Sequence, residues 1–212
     1  MTICHARSEF MPTKTFFNLP KEKQDNLIQA SEKEFSRVLF NEASINQIIQ
    51  DAKIPRGSFY MYFQDKEDLY FYILEKHMME IFKKLLERIQ IKNGDVILAW
   101  ETIYDELIES GLSKGGTLLK NLFLNMRYTT NKKIFTNPPK EKLVSDQKKV
   151  IQYINRDLYK KMNDDELMDS LSLIFLITTS SLAYIFLNPE KKEEEKKNYH
   201  HRIHMIQYGM YR

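Results

Sequence analysis

The stretch that decides the fold runs from residue 44 to residue 69 and reads SINQIIQDAKIPRGSFYMYFQDKEDL. Its first part predicts a short helix from Ser44 to about Lys53 with isoleucines on its inward face. Ser44 is a suitable N-cap, because its hydroxyl can accept a hydrogen bond from an unpaired amide at the helix start. Pro55 begins a second short helix, since proline is tolerated in a first helical turn. Two short helices in this arrangement are typical of a helix-turn-helix, whose second helix enters the major groove of DNA.

The second short helix carries side chains that suit a nucleic-acid surface. Its aromatic residues Phe59 and Phe63 would anchor it, while an arginine and several hydroxyls face outward. Hydroxyl and guanidinium groups bind phosphate oxygens and base edges alike, and Gly57 would let the backbone approach closely. We expect Ser44 and Asn46 to reach a flanking phosphate. The predicted DNA contacts are Ser44, Asn46, Arg56, Gly57, Ser58, Tyr60, Met61, Tyr62 and Lys66.

Residues 55 to 69 resemble the signature of the TetR family of bacterial transcriptional repressors. That signature typically reads Ser-Lys-Gly-Thr-Leu-Tyr-x-His-Phe and continues with x-x-Lys-Glu-x-Leu. Arg56 stands at the basic position, Gly57 at the glycine and Lys66 at the lysine that opens the next helix. The chain departs from the pattern at Lys53, where the family has a turn glycine, at Pro55, where it has a cap serine, and at Tyr62, where it has a histidine. The resemblance covers roughly residues 20 to 74.

The resemblance implies a specific architecture and role. Residues 12 to 64 would form a three-helix DNA-binding domain, and residues 65 to 212 a helical bundle for ligand binding and dimerisation. The implied protein is a cytoplasmic homodimer that binds a pseudo-palindromic operator on double-stranded DNA without a cofactor. A small lipophilic effector would release it by shifting the helix that joins the two domains.

Composition supports an all-α fold independently of the resemblance. Only six glycines and six prolines occur in 212 residues, and no stretch alternates with a period of two. One cysteine, Cys4, fits a reducing compartment, and the first twenty residues lack the apolar core of a signal peptide. Residues 1 to 11 fit no helical pattern, and we expect them to be disordered or vector-derived.

The charge balance is weak for a DNA-binding protein. The net charge is +3, and residues 20 to 66 carry seven basic and seven acidic side chains. DNA binding would therefore depend on the local placement of a few groups rather than on a broad basic surface.

Apolar periodicity divides the rest of the chain into helices, about nine in all with the N-terminal ones. A long helix from Lys66 to Ile91 carries two apolar stripes, and Asn93-Gly94 ends it. The next helices are predicted from Asp95, as N-cap, to Gly111, from Leu118 to Tyr128, from Leu143 to Met162, from Asn163, as N-cap, to Leu187, and from about Lys192 to the C-terminus.

The run from Leu167 to Leu187 is long enough to cross a membrane. Asp169 and the four consecutive threonines and serines at 178 to 181 interrupt the run, and it lacks the flanking basic residues that orient a membrane-spanning helix. A helix buried against its own subunit and a second subunit explains the same pattern, so we expect no membrane contact. The predicted dimer interface is Leu171, Phe175, Thr178, Leu182, Tyr199, Ile203, Ile206 and Met210.

Aromatic residues of the C-terminal helices leave room for a lipophilic effector cavity. The predicted effector contacts are Trp100, Tyr104, Phe123, Arg127, Tyr153 and Phe175. His200, His201 and His204 favour a solvated helix face over a metal site, so no metal is expected. No nucleophile with a matching base stands out, which argues against an enzyme. A helical ligand carrier and a protein-interaction module without DNA function remain open as alternatives.

Overall fold

The computed structural model describes residues 12–129, 150–159 and 162–210, and no β-strand lies in these ranges. The all-α prediction is confirmed. The α-helices are α1 (Lys14–Phe17), α2 (Lys21–Arg37), α3 (Ile45–Asp51), α4 (Arg56–Tyr62), α5 (Lys66–Ile91), α6 (Val96–Leu112), α7 (Thr117–Thr129), α8 (Asp164–Leu187) and α9 (Lys192–Met210). The predictions for residues 1 to 11 and 143 to 149 lie outside the described residues.

The chain divides into two compact units, and the division falls within α5, after Met79. In the first unit, α2, α3, α4 and the start of α5 share one apolar core, and α3 packs along α2. Fully or nearly fully buried side chains from all four helices fill it: Leu27, Ile28, Phe35, Ile48, Phe59, Leu69, Tyr70 and Ile73. Helices α3 and α4 have seven residues each and are too short to be stable alone, so the shared core holds them.

Helix α1 is an element that the sequence pattern did not indicate. Phe16 is fully buried, and its ring centroid lies 5.1 Å from that of Phe63 and 5.6 Å from that of Tyr72. A four-residue helix has no periodicity to detect, which explains why the prediction missed it.

In the second unit, the predicted helix caps are confirmed. The Asp95 carboxylate accepts the amides of Ile97 and Leu98 at the start of α6. At the start of α8, Asn163 and Glu166 form a reciprocal capping box. Helix α8 packs against α6, α7 and α9. Its length and composition suffice to cross a membrane, but 44% of its apolar window is buried in the protein, as in a core helix.

The prediction of one helix from Leu143 to Met162 is wrong in its last part. Residues 150–153 are helical, but the chain then bends and forms a 3-10 turn at Arg156–Leu158. Three hydrogen bonds hold this segment against the turn between α5 and α6, one of them from the Tyr159 hydroxyl to the Asp95 carboxylate at 3.2 Å. The amide of Asn155 donates to the Gly94 carbonyl at 3.0 Å, and the buried Tyr159 hydroxyl accepts the Val96 amide at 3.0 Å. These tertiary contacts override the local apolar pattern.

Candidate nucleic-acid interface

The turn between α3 and α4 forms although the expected glycine is a lysine. Lys53 adopts a φ of 54°, in the left-handed region that glycine favours. The Ile54 amide donates to the Ile49 carbonyl at 3.0 Å, which closes the end of α3. Pro55 occupies the N-cap of α4, one position earlier than predicted, since α4 begins at Arg56. The helix-turn-helix arrangement is therefore present.

Ser44 occupies the N-cap of α3 as predicted, but the predicted hydroxyl cap is absent. Its backbone amide instead donates to the Glu34 carboxylate at 2.8 Å. Glu34 is only 2% exposed and also binds Arg37 through two hydrogen bonds of 2.9 Å. Arg37 and the Ser44 amide together lower the pKa of Glu34. Glu34 thus ties α2 to the start of α3, a role whose only sequence signal is the Glu-x-x-Arg spacing.

Helix α4 presents one buried and one exposed face. Phe59 is fully buried, as is Phe63 just after the helix, which confirms the predicted anchors. Tyr60 is 46% and Met61 58% exposed. The other predicted contacts on α4 divide as follows: Arg56 and Gly57 are exposed, and Ser58 and Tyr62 are half-buried.

Packing within the protein does not require a glycine at position 57. A Cβ atom added there would meet no heavy atom within 4 Å. The space beside Gly57 is open, so a molecule from outside can approach the backbone at this position.

Arg56 is held by α3. Its Nη1 donates to the Asn46 side-chain oxygen at 2.8 Å, and both residues are exposed. Lys53 lies exposed at the adjacent turn, and sequence reasoning overlooked it as a basic group on this surface. By contrast, Lys33 of the same unit is engaged by Asp51 at 2.7 Å. Two exposed basic residues, Lys53 and Arg56, therefore lie at the start of α4, although the basic and acidic side chains of residues 20 to 66 are equal in number.

Lys66 has a structural role that the sequence did not indicate. Its ammonium donates to the carbonyls of Ala43 at 2.8 Å and Asn41 at 3.3 Å, and lies 4.7 Å from the centre of the Phe40 ring. Desolvation lowers the pKa of Lys66. These hydrogen bonds join the start of α5 to the loop that leads into α3. A DNA contact by Lys66 stays a prediction.

The predicted effector residues do not converge on one site. Trp100 and Phe175 are in edge-to-face contact at 6.2 Å between ring centroids, but Tyr104 stacks on Tyr199 at 3.6 Å. Phe123 packs on Phe186 in the core. Tyr153 is 43% exposed, and the Arg127 side chain lies outside the described residues. Of the predicted set, the structure brings together Trp100 and Phe175.

Tyr104 and Tyr199 belong to a buried hydrogen-bond network. The Tyr104 hydroxyl is 2.7 Å from Ser181 Oγ, and the Tyr199 hydroxyl is 3.1 Å from Thr178 Oγ1. Trp100 Nε1 also donates to Thr178 Oγ1, at 2.6 Å. Burial raises the pKa of both tyrosines. The network fixes α6, α8 and α9 against one another.

Most residues of the predicted dimer interface are buried within one subunit, so their side chains pack inside the single chain, and the interface stays a prediction. Six of the eight are at most 8% exposed in the single chain: Leu171, Thr178, Leu182, Tyr199, Ile203 and Met210. Other large apolar side chains of α8 and α9 are exposed instead: Leu173 (53%), Leu176 (47%), Leu187 (49%), Met205 (65%) and Tyr208 (72%).

Two of the three histidines of α9 have side-chain partners. His200 Nδ1 is 2.8 Å from a Glu101 carboxylate oxygen, and His204 Nδ1 is 3.1 Å from the Gln207 side-chain oxygen. Within the described ranges, no group of three or more His, Cys, Asp or Glu side chains is arranged to hold a metal ion.

Comparison with known proteins matches both units to one family. A model described as bacterial regulatory proteins, tetR family, matches residues 27–73, and one described as tetracyclin repressor-like, C-terminal domain, matches residues 95–210. The chain belongs to the TetR family. It is a transcriptional regulator with a DNA-binding helix-turn-helix.

Individual relatives agree with this TetR assignment. The HTH-type transcriptional regulator YdgC of Bacillus subtilis is 31% identical over 136 residues, which cover 60% of this chain and 67% of YdgC. A TetR-family regulator of Pectobacterium atrosepticum superposes with a TM-score of 0.65 at 17% identity, over 90% of this chain and 95% of that one. SmeT, the repressor of the Stenotrophomonas maltophilia efflux pump SmeDEF, superposes at 0.60 with 13% identity, over 91% and 93%. At these identities the two structures support the TetR fold alone.

Proposed function

We propose that this TetR-family regulator is a cytoplasmic repressor that binds a pseudo-palindromic operator as a homodimer and dissociates when a small lipophilic effector binds. The observation that carries the DNA-binding half of this proposal is the exposed face of α4, where Arg56, Tyr60 and Met61 project beside an open Gly57 backbone. Such a face offers a guanidinium, a hydroxyl and an approachable backbone to a groove.

A second copy would pack on the exposed apolar face of α8 and α9. Leu173, Leu176 and Tyr208 are each about half exposed or more in the single chain, which is unusual for large apolar side chains on neighbouring helices. A two-fold interface through such helices would join the subunits as a four-helix arrangement. We propose this surface in place of the buried residues that the apolar periodicity of the sequence predicted for the interface.

The effector would bind in the second unit, near the contact between Trp100 and Phe175. Trp100 is the only tryptophan of the chain, so its emission reports on this region without labelling. A ligand that weakens operator binding should also change that emission. If it releases DNA while the emission stays constant, the effector site lies elsewhere.

The DNA-binding proposal is tested by selecting bound fragments from the host genome and measuring their affinity for variants. We expect Arg56→Ala to weaken operator binding by roughly 5- to 150-fold, because one good arginine contact is worth about 1 to 3 kcal/mol. Lys83→Ala is the matched control, since it removes an exposed positive charge from α5 in the second unit. Equal affinity for Arg56→Ala and the wild type would refute the assignment of α4 as the reading helix.

A further inference from the structure

Helix α4 is held at its C-terminal end by a residue from outside the helix-turn-helix. The Thr13 amide donates to the Tyr62 carbonyl at 2.9 Å, and the Thr13 hydroxyl donates to the Met61 carbonyl at 2.6 Å. Carbonyls in the last turn of a helix have no partner within the helix and need one elsewhere. Thr13 supplies two such partners to consecutive residues.

The remainder of α1 fastens this contact to the core. Phe16 is fully buried three residues after Thr13, with its ring centroid 6.3 Å from that of Tyr62. Thr13 itself is the N-cap of α1, so the hydrogen bonds and the buried ring belong to one short element. The end of α4 is thus joined to the buried core of the first unit.

Helix α4 depends on contacts with residues outside the helix. It has seven residues, and its N-cap, Pro55, makes no side-chain cap hydrogen bond. A helix this short is unstable without tertiary contacts. Met61 and Tyr62, whose carbonyls Thr13 binds, also carry side chains of the proposed DNA-contacting face.

We propose that Thr13 is a positioning residue for operator recognition, which sets the orientation of the C-terminal turn of α4 against DNA. The proposal rests on the DNA-binding function proposed above and adds a residue that precedes the helix-turn-helix. Loss of the hydroxyl would let the last turn of α4 fray and would weaken specific binding, while the phosphate-binding groups stay in place.

The experiment compares Thr13→Val, which keeps the shape of the side chain and removes the hydroxyl, with Thr13→Ser, which keeps the hydroxyl. Thr102→Val is the matched control, because Thr102 makes a similar side-chain bond to the Leu98 carbonyl in the second unit. We expect Thr13→Val to lose roughly 2- to 10-fold in operator affinity, which corresponds to one hydrogen bond. Thr13→Ser and Thr102→Val should bind like the wild type, and affinity for random DNA should change little in any variant.

Hydrogen exchange separates positioning from general destabilisation. In Thr13→Val, exchange should accelerate in residues 56 to 63 and not in α2. Equal acceleration in both helices, or an equal loss of affinity for operator and random DNA, would overturn the proposal. So would unchanged operator affinity in Thr13→Val while Arg56→Ala fails to bind, an outcome that leaves the DNA-binding function intact. If Arg56→Ala also binds normally, the DNA-binding function itself fails.

Discussion

At the scale of single residues, the turn of the helix-turn-helix shows how far a family pattern can be relaxed. Lys53 holds a left-handed conformation that is strained for a side chain with a Cβ atom. Hydrogen bonds from Lys53 and Ile54 back to α3 keep the turn in this conformation. The sequence could identify the departure from glycine but could not show that the turn survives it, because the compensating hydrogen bonds join backbone groups and do not depend on particular side chains.

Lys53→Gly should therefore stabilise the DNA-binding unit. We expect a gain of about 0.5 to 1 kcal/mol in the free energy of unfolding, since relief of strain exceeds the added chain entropy. Lys53→Ala is the control, because alanine removes the charge but keeps the Cβ atom. Chemical denaturation followed by circular dichroism measures the difference. Equal stability of the glycine and alanine variants would show that the turn is unstrained.

At the scale of helices, the sequence predicted positions that local chemistry decides. Helix α5 runs from Lys66 to Ile91 as predicted, and Asp95 and Asn163 cap the helices that follow them. A polar capping residue and an apolar repeat each extend over only a few residues, so both can be recognised in a single sequence. The helix predicted through Met162 was wrong because Tyr159 bonds to the start of α6, 63 positions away in sequence.

Helix packing in the second unit depends on a glycine that periodicity does not explain. A Cβ atom on Gly111 of α6 would lie 2.3 Å from the Phe186 ring of α8, whereas one on Gly115 would meet nothing within 4 Å. We expect Gly111→Ala to cost about 1 to 3 kcal/mol, because the two helices must move apart. Gly115→Ala should be nearly neutral. The midpoints of thermal unfolding of the two variants, measured under the same conditions, check this prediction. Equal midpoints would mean that the Phe186 ring moves aside without loss of stability.

At the scale of the whole molecule, the apolar pattern of the C-terminal helices does not show which of their faces remains exposed. Helix α8 is apolar on most of its circumference, so its sequence cannot distinguish the face that packs in its own subunit from the face left exposed. Burial in the structure makes that distinction: Leu182 is fully buried, and Leu176 is 47% exposed. The helix-turn-helix was easier to predict, because its sequence motif is local.

The proposed interface predicts a specific defect. Leu176→Asp should shift the chain from dimer to monomer, since a buried carboxylate without a partner costs several kcal/mol. The expected rise in dimer dissociation constant is roughly thirtyfold or more, equivalent to about 2 kcal/mol. Leu98→Asp, at another exposed leucine of the second unit, is the control. Sedimentation at a series of concentrations measures both; a stable Leu176→Asp dimer would place the interface on another surface.

The central claim is that two copies of α4 lie side by side in successive major grooves of one duplex. Hydroxyl-radical footprinting on a selected operator, combined with the stoichiometry of the complex, tests it most directly. We predict two protected patches centred roughly 34 to 36 Å apart, about one turn of DNA, with two chains per duplex, and weaker protection of both patches by Arg56→Ala at the same protein concentration. A single protected patch, or equal protection by Arg56→Ala and the wild type at the same protein concentration, would contradict the claim.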